Sequence, residues 1–298
     1  MGTRIFRFAP SPNGRLHLGH AYSALFNQKL ARQAGGRLLL RIEDIDTTRC
    51  TPEFEAGILE DLDWLGIEWE RPVRRQSDHF AEYEKELARL VAEGLVYPAF
   101  MSRGEIRAHI ADAEKAGKRW PRDPDGTPLY PGSERNLTER KRRHLMASGT
   151  PYAWRLDMKE ALLRFPRRLT WQEGGKGPDG QAGIVEADPD KWGDVVLARR
   201  EVPTSYHLSV VIDDAQQGVT DIVRGRDLFH ATPVHRLLQQ MLRLPEPRYL
   251  HHDLVLGPDG RKLSKSNGDT ALCEMRQAGR APDDIRSRLG FTSVQAAP

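Results

Sequence analysis

The chain has 298 residues but only two cysteines, Cys50 and Cys273. They lie far apart in sequence and fit no CxxC pattern, which excludes a disulfide framework and suits a reducing, cytoplasmic setting. Long apolar runs are lacking too. None approaches the roughly 20 residues needed to span a bilayer, and the opening MGTRIFRFAPSPNG has no apolar core of a secretory signal. Charge of one sign is not in excess: 45 basic residues face 42 acidic ones, a formal net of +3. Any footprint for a polyanion must therefore be local. There is no internal repeat or low-complexity tract. What remains is a globular composition, 39% hydrophobic and 29% charged, long enough for two structural units.

The first hundred residues alternate between strand and helix patterns. Ile5 to Phe8 reads as a short strand, and the loop Ala9 to Leu16 carries the turn residues Pro10, Pro12 and Gly14. A helix is expected from His17 or Leu18 to about Gln33, ended by Gly35 and Gly36. Leu38 to Ile42 reads as a buried strand with Glu43, Asp44 and Asp46 at its exit. This βαβ unit implies a parallel sheet. Thr51-Pro52 opens one further helix, and Phe80, Tyr83, Leu87, Leu90 and Val91 mark another, closed by Gly94.

Between about Tyr97 and Asp190 the pattern loosens into Pro, Gly and charge clusters, which predicts an insertion between two halves of the sheet. Regular patterns return at Asp194 to Leu197 (strand), Tyr206 to Gln217 (helix) and Val219 to Val223 (strand). A helix capped by Thr232-Pro233 follows, with Val234, Leu237, Leu238, Met241 and Leu242 on one face. Tyr249 to Leu256 then leads to RKLSKSNG. The expected boundaries are 1–96 and 191–252 for two halves of a nucleotide-binding core, 97–190 for the insertion, and 253–298 for a lysine-rich loop and a C-terminal stub. The fold class is α/β.

Two motifs carry chemistry. In His17-Leu18-Gly19-His20 the imidazoles sit three residues apart, on one face of the first turn of a helix that follows a strand. A helix N-terminus there offers N–H groups to phosphates, Gly19 leaves room for a nucleotide to approach, and the histidines can stabilise charge developing on a phosphate. In Lys262-Leu263-Ser264-Lys265-Ser266 two lysines stand among small residues, suited to a loop that closes over polyphosphate. Taken singly, each has a plain structural reading, as a surface histidine pair and a solvated basic loop.

Together with the βαβ pattern and the insertion, the two motifs resemble the HIGH and KMSKS signatures of the class I aminoacyl-tRNA synthetases. Arg7-Phe8-Ala9-Pro10-Ser11-Pro12-Asn13-Gly14, Leu40-Arg41-Ile42-Glu43-Asp44-Ile45-Asp46 and Val223-Arg224-Gly225-Arg226-Asp227-Leu228 are similar to the glutamyl branch. The resemblance runs from about residue 4 to about 270. It implies a Rossmann-like catalytic core with an inserted α+β subdomain. It also implies a site in which Arg7, Ala9, Ser11, Glu43, Tyr206 and Arg224 hold L-glutamate. ATP would be held by His17, Gly19, His20, Lys262 and Lys265, with His17, His20 and Lys265 catalytic and Mg²⁺ on the phosphates. Two arginines suit two carboxylates and Glu43 suits an ammonium.

Only 32 residues follow Ser266, room for about two short helices, where discriminating glutamyl-tRNA synthetases continue into an anticodon-binding region. That shape resembles the glutamyl-queuosine tRNA(Asp) synthetases, which attach glutamate to queuosine at the wobble position. The implied partners are L-glutamate, ATP and the anticodon stem-loop of tRNA(Asp), with a monomer as the expected state and no membrane. Arg140 to Arg143 and Arg164 to Arg168 are candidate phosphate contacts. Family members that hold zinc use a CxC pair and a later Tyr-x₃-Cys. Here those positions are Ala99, Met101, Tyr130 and Glu134, so no structural zinc is expected. Three other readings remain open: a truncated glutamyl-tRNA synthetase charging the tRNA 3′ end, an adenylyltransferase for a small metabolite, and a non-catalytic RNA-binding relative.

Overall fold

The computed structural model describes residues 2–166, 168–257, 260–261, 263 and 270–291. The first half of the chain begins with β1 (Ile5–Phe8), α1 (Leu18–Gln33), β2 (Arg37–Ile42), α2 (Pro52–Trp64), β3 (Glu70–Arg75) and α3 (Phe80–Ala92). Thr51 caps α2 through its side chain and Pro52 opens it, as the sequence predicts. β3 is an addition to that reading. Its sequence ERPVRR has no apolar alternation, and it forms an exposed strand at the sheet edge beside β2.

The middle of the chain supplies β4 (Val96–Ala99), α4 (Arg103–Lys115), α5 (Glu139–Ala147), β5 (Ala153–Leu156), α6 (Met158–Arg164), β6 (Thr170–Glu173) and β7 (Gly183–Glu186). The last third contains β8 (Val196–Arg199), α7 (Tyr206–Gln216), β9 (Asp221–Gly225), α8 (Thr232–Leu242), β10 (Arg248–His252), α9 (Leu272–Gln277) and α10 (Pro282–Arg288). α9 and α10 lie in the stretch after Ser266, whose length leaves room for about two short helices.

Seven strands form the main sheet in the order β3-β2-β1-β9-β10-β6-β7. All neighbours are parallel except β6 and β7. The stretch 97–190 divides between two sheets: β6 and β7 complete the main one, whereas β5 lies between β4 and β8 in an antiparallel three-stranded sheet. Strand order departs in opposite directions from the β1–β9 pair, one half of the chain building outward through β2 and the other through β10. Crevices at such switch points, beyond the carboxyl ends of the strands, are where open α/β sheets bind ligands.

The core flanks the sheet. Phe6, Phe8, Leu38 and Leu40 pack with Leu25, Ile58 and Leu272 in one cluster, while the alternate strand residues Leu39, Ile222 and Tyr249 fall in another. A further cluster joins Tyr83, Leu90, Leu156, Leu197, Val211 and Leu238, tying α3, α7 and α8 to the smaller sheet.

Candidate active site

At the carboxyl end of β1 the chain turns into α1, and the turn is held by the two histidines. His17 is the N-cap residue: its Nδ1 accepts from the Gly19 backbone N–H at 3.1 Å. His20 Nδ1 accepts from the His17 backbone N–H at 3.2 Å. This is a reciprocal capping box made of imidazoles rather than hydroxyl and carboxylate. With each Nδ1 accepting, the neutral rings carry their proton on Nε2. The rings lie 3.9 Å apart between centroids, so two ring donors are presented side by side at a helix N-terminus. Gly19 does more here than admit a nucleotide: a Cβ at this position would stand 2.9 Å from His17 Cε1, so glycine makes room for the neighbouring ring itself.

Arg7, at the end of β1, is buried and directs Nε to Asp214 Oδ1 at 3.0 Å. Arg41 is fully buried and shares that carboxylate, with Nη1 to Asp214 Oδ1 at 2.7 Å and Nη2 to Glu43 Oε1 at 3.1 Å. Burial alone would raise the Asp214 carboxyl, but Arg41 and Arg7 hold it below its usual range. Glu43 goes the other way: burial pushes it up, and Arg41 and Arg7 offset only part of that. Asp213 anchors the same end of α7 to β3 and α3. It accepts from Arg74 Nε at 2.8 Å, Gln76 Nε2 at 2.7 Å and Tyr83 Oη at 2.8 Å.

Arg224, at the end of β9, has a different environment. Its Nε donates to His251 Nε2 at 3.1 Å. Nη1 donates to Tyr206 Oη and His235 Nδ1, both at 3.2 Å. Nη2 donates to the Leu228 carbonyl at 3.1 Å and Thr232 Oγ1 at 2.9 Å. Every one of these partners is uncharged. Burial, and Arg224 itself, push His207 and His251 down to about 4 and His235 down as well. Among the described residues no carboxylate forms an ion pair with this buried guanidinium. A buried cation without a counterion is costly unless a ligand supplies one. The Tyr206 oxygen accepts from Arg224, so its own O–H is left to donate elsewhere, and its titration is pushed up, first by burial.

Arg7, Ala9, Ser11, His17, Gly19, His20, Glu43, Tyr206 and Arg224 all line one cavity of about 740 Å³. Lys262 and Lys265 lie outside the described residues. Leu263, between them, is buried and lines the same cavity. Beyond the lysines, Ala271 forms a β-bridge with His17, and the Leu272 N–H donates to the Leu16 carbonyl at 2.8 Å. A second cavity, of about 600 Å³, shares Ser11, Asn13, Glu43, Arg49 and Tyr206 with the first and extends to Tyr130, Arg155, Trp192 and Asp194 in the middle of the chain.

Several of these contacts were not legible in the sequence. Thr232, expected as a helix cap, is instead the first residue of α8, whose cap position is Ala231. Its hydroxyl serves Arg224. His207, His235, His251 and Asp214 carry no motif of their own. The only sequence signal for Asp213 and Asp214 is a pair of acids directly after the apolar run VVI in α7.

At the four positions aligned with a zinc site, the Glu134 carboxylate accepts from Tyr130 Oη at 2.8 Å, the Met101 N–H at 3.1 Å, the Phe100 N–H at 3.3 Å and Ser133 Oγ at 3.0 Å. A carboxylate hub of hydrogen bonds thus joins the two segments there. Among the described residues no group of three or more His, Cys, Asp or Glu side chains could hold a metal ion. None of the described helices is long and apolar enough to cross a membrane.

Comparison with known proteins gives the family and the fold. The family model for class I tRNA synthetases (E and Q), catalytic domain, matches residues 5–293. A glutamyl-Q tRNA(Asp) synthetase from Rhodobacter capsulatus is 47% identical over 293 residues, covering 96% of this chain and all of that protein. A glutamate–tRNA ligase from a Synechococcus species is 36% identical and covers 98% of this chain, which spans only 57% of that protein. Among solved structures, a glutamate tRNA ligase from Elizabethkingia meningosepticum in complex with its amino acid superimposes with a TM-score of 0.77 at 25% identity. It covers 97% of this chain and 60% of its own. The chain therefore belongs to the class I tRNA synthetases of the glutamate and glutamine branch, in the group of the glutamyl-Q tRNA(Asp) synthetases.

Proposed function

We propose that the chain activates L-glutamate with ATP and transfers the glutamyl group to queuosine in the anticodon loop of tRNA(Asp). The observation that carries the glutamate half is Arg224, a buried guanidinium whose partners among the described residues are all neutral, facing a cavity that also holds Arg7, Tyr206 and Glu43. One substrate carboxylate meets Arg224 and the Tyr206 hydroxyl, and Glu43, held by Arg41, accepts from the ammonium. Glutamine would leave the arginine charge unmatched, which disfavours it.

ATP belongs at the other end of the cavity, with its phosphates on the α1 N-terminus and the Nε2–H groups of His17 and His20. A glutamate carboxylate oxygen attacks the α-phosphorus, the bond to the β-phosphate oxygen breaks, and pyrophosphate leaves as glutamyl-adenylate forms. Lys265 is assigned the charge on the leaving group. Magnesium arrives with the ATP phosphates; the described residues offer no three-ligand cluster to cage it.

The second cavity shares Glu43 and Tyr206 with the first and suits an acceptor nucleoside brought beside the adenylate. Single-stranded loops with splayed bases fit such a recess. A monomer working in the cytoplasm accords with this reading.

The test offers labelled glutamate and ATP with queuosine-containing tRNA(Asp), queuosine-free tRNA(Asp) and tRNA(Glu). Label confined to the first, released from the anticodon loop fragment after nuclease digestion, supports the proposal. Label on the 3′ adenosine of tRNA(Glu) would replace it with 3′-end charging. ATP–pyrophosphate exchange indifferent to glutamate would replace it with an adenylyltransferase.

A further inference from the structure

A buried chain of three residues lies behind the proposed glutamate subsite. Glu173 ends β6, His251 lies in β10 and Arg224 lies in β9, on adjacent strands of the main sheet. Glu173 is 2% exposed and its carboxylate takes four donors. Oε1 accepts the backbone N–H of His251 at 2.9 Å and of Gly175 at 2.8 Å. Oε2 accepts His251 Nδ1 at 2.6 Å and Trp171 Nε1 at 3.1 Å.

This pattern settles the histidine's tautomer. An Arg224 Nε–H can only donate, so the His251 Nε2 that receives it at 3.1 Å must present a lone pair. The ring proton is therefore on Nδ1, directed at Glu173. Thr232 Oγ1, 3.4 Å from the same Nε2 and already accepting from Arg224 Nη2, is consistent with that assignment. The arrangement is a carboxylate–imidazole pair of the kind that orients a metal-bound histidine, with a guanidinium in the place of the metal. Gly175 permits it: a Cβ there would stand 2.2 Å from the His251 carbonyl oxygen, so only glycine lets the chain leave β6 this close to β10.

We infer that Glu173 and His251 are positioning residues for the substrate carboxylate, Glu173 fixing the Nδ1–H tautomer of His251 so that Nε2 holds the Arg224 guanidinium aimed into the cavity. The inference rests on the glutamate reading above and deepens it. It also gives the buried Arg224 charge a carboxylate one residue removed, close enough to moderate its burial and too far to neutralise it. The direct ion pair remains for the substrate.

Glu173→Gln separates this role from packing. Both carboxylate oxygens receive two donors each, so the amide nitrogen of glutamine must meet two donors whichever way it turns. Turned toward Nδ1, it pushes the ring proton to Nε2, where two N–H groups then oppose each other and Arg224 swings away. His251→Leu removes the acceptor altogether. His251→Gln keeps one, because its amide can accept from Arg224 and donate to Glu173.

Glutamate-dependent ATP–pyrophosphate exchange and thermal unfolding are measured on the full chain and these three variants. Glu173→Gln and His251→Leu are expected to raise the KM for glutamate about tenfold or more, the size of one lost charge-assisted hydrogen bond, with the KM for ATP unchanged. His251→Gln is expected to recover most of the loss. A wild-type KM for glutamate in Glu173→Gln and His251→Leu overturns the inference. So does an equal rise in both KM values that follows the loss in Tm, which marks a structural role only. Should Glu173→Gln fail to fold, a His251→Gln no better than His251→Leu overturns it as well. Wild-type protein that exchanges pyrophosphate without needing glutamate refutes the glutamate reading instead, a separate outcome.

Discussion

Arg224→Ala offers the most direct measurement of the proposed site. In the folded protein Arg224 is 5% exposed and the five N–H groups of its guanidinium reach five neutral acceptors. Truncation leaves those acceptors uncharged, and hydroxyls and carbonyls can reorganise or take a water. The loss to the free protein is therefore modest, about 1–3 kcal/mol. The loss to the complex is larger. A substrate carboxylate would enter a cavity where Arg7 is already paired with Asp214, and among the described residues it would meet no other cation free of an ion pair at that end. Removing one partner of a desolvated charge pair costs about 2–5 kcal/mol, which corresponds to a KM for glutamate raised about 30-fold to several thousand-fold. The assay is ATP–pyrophosphate exchange with glutamate varied at saturating ATP. Because ATP is assigned to the histidine end, its KM is expected to stay within about twofold, well under the tenfold that 1.4 kcal/mol represents. An unchanged KM for glutamate, in a variant that folds, would refute the assignment of Arg224 to the substrate carboxylate.

Lys265→Ala is expected to slow exchange about 100-fold or more, the scale of one lost transition-state contact, while the KM for glutamate stays close to the wild-type value; equal rates would remove Lys265 from the chemistry. Asp61, in α2, is 1% exposed, and burial pushes its carboxyl up to about 6, with Arg276 at 3.9 Å opposing only in part. A raised carboxyl binds its proton more tightly in the folded state, so ionisation destabilises the fold as pH rises through about 6. Asp61→Asn is expected to stabilise the protein at pH 8 by at most about 3 kcal/mol, with the gain shrinking toward pH 4; urea unfolding showing destabilisation at pH 8 would contradict this. Glu134→Ala is expected to cost about 2–4 kcal/mol by stranding the Phe100 and Met101 N–H groups. EDTA is expected to leave the Tm of the wild type unaltered, and a Tm that falls on chelation would show a metal where the carboxylate hub stands.

The sequence alone determined what is local or linear. Periodicity and end signals placed β1, α1, β2, α2 and α3, because a buried helix face repeats in the chain and a cap acts on residues three positions away. The expected site residues that the structure describes, most of them in the motif words, border one cavity, since a loop between a strand and a helix carries its ligand-facing groups as consecutive letters. What the tertiary structure decided is whatever depends on residues far apart in the chain. β3 is charged, and only its pairing with β2 makes it a strand. Glu173 stood in a stretch read only as part of the loosely patterned insertion, and only the register of β6 against β10 sets its carboxylate on His251. Asp214 became the counterion of Arg7 and Arg41 because α7 and two strands end at one point. Arg224 was legible as a site residue from its motif. That its charge lacks a counterion among the described residues follows from which neighbours the fold brings within 3.5 Å, and a single strand of sequence holds no measure of that.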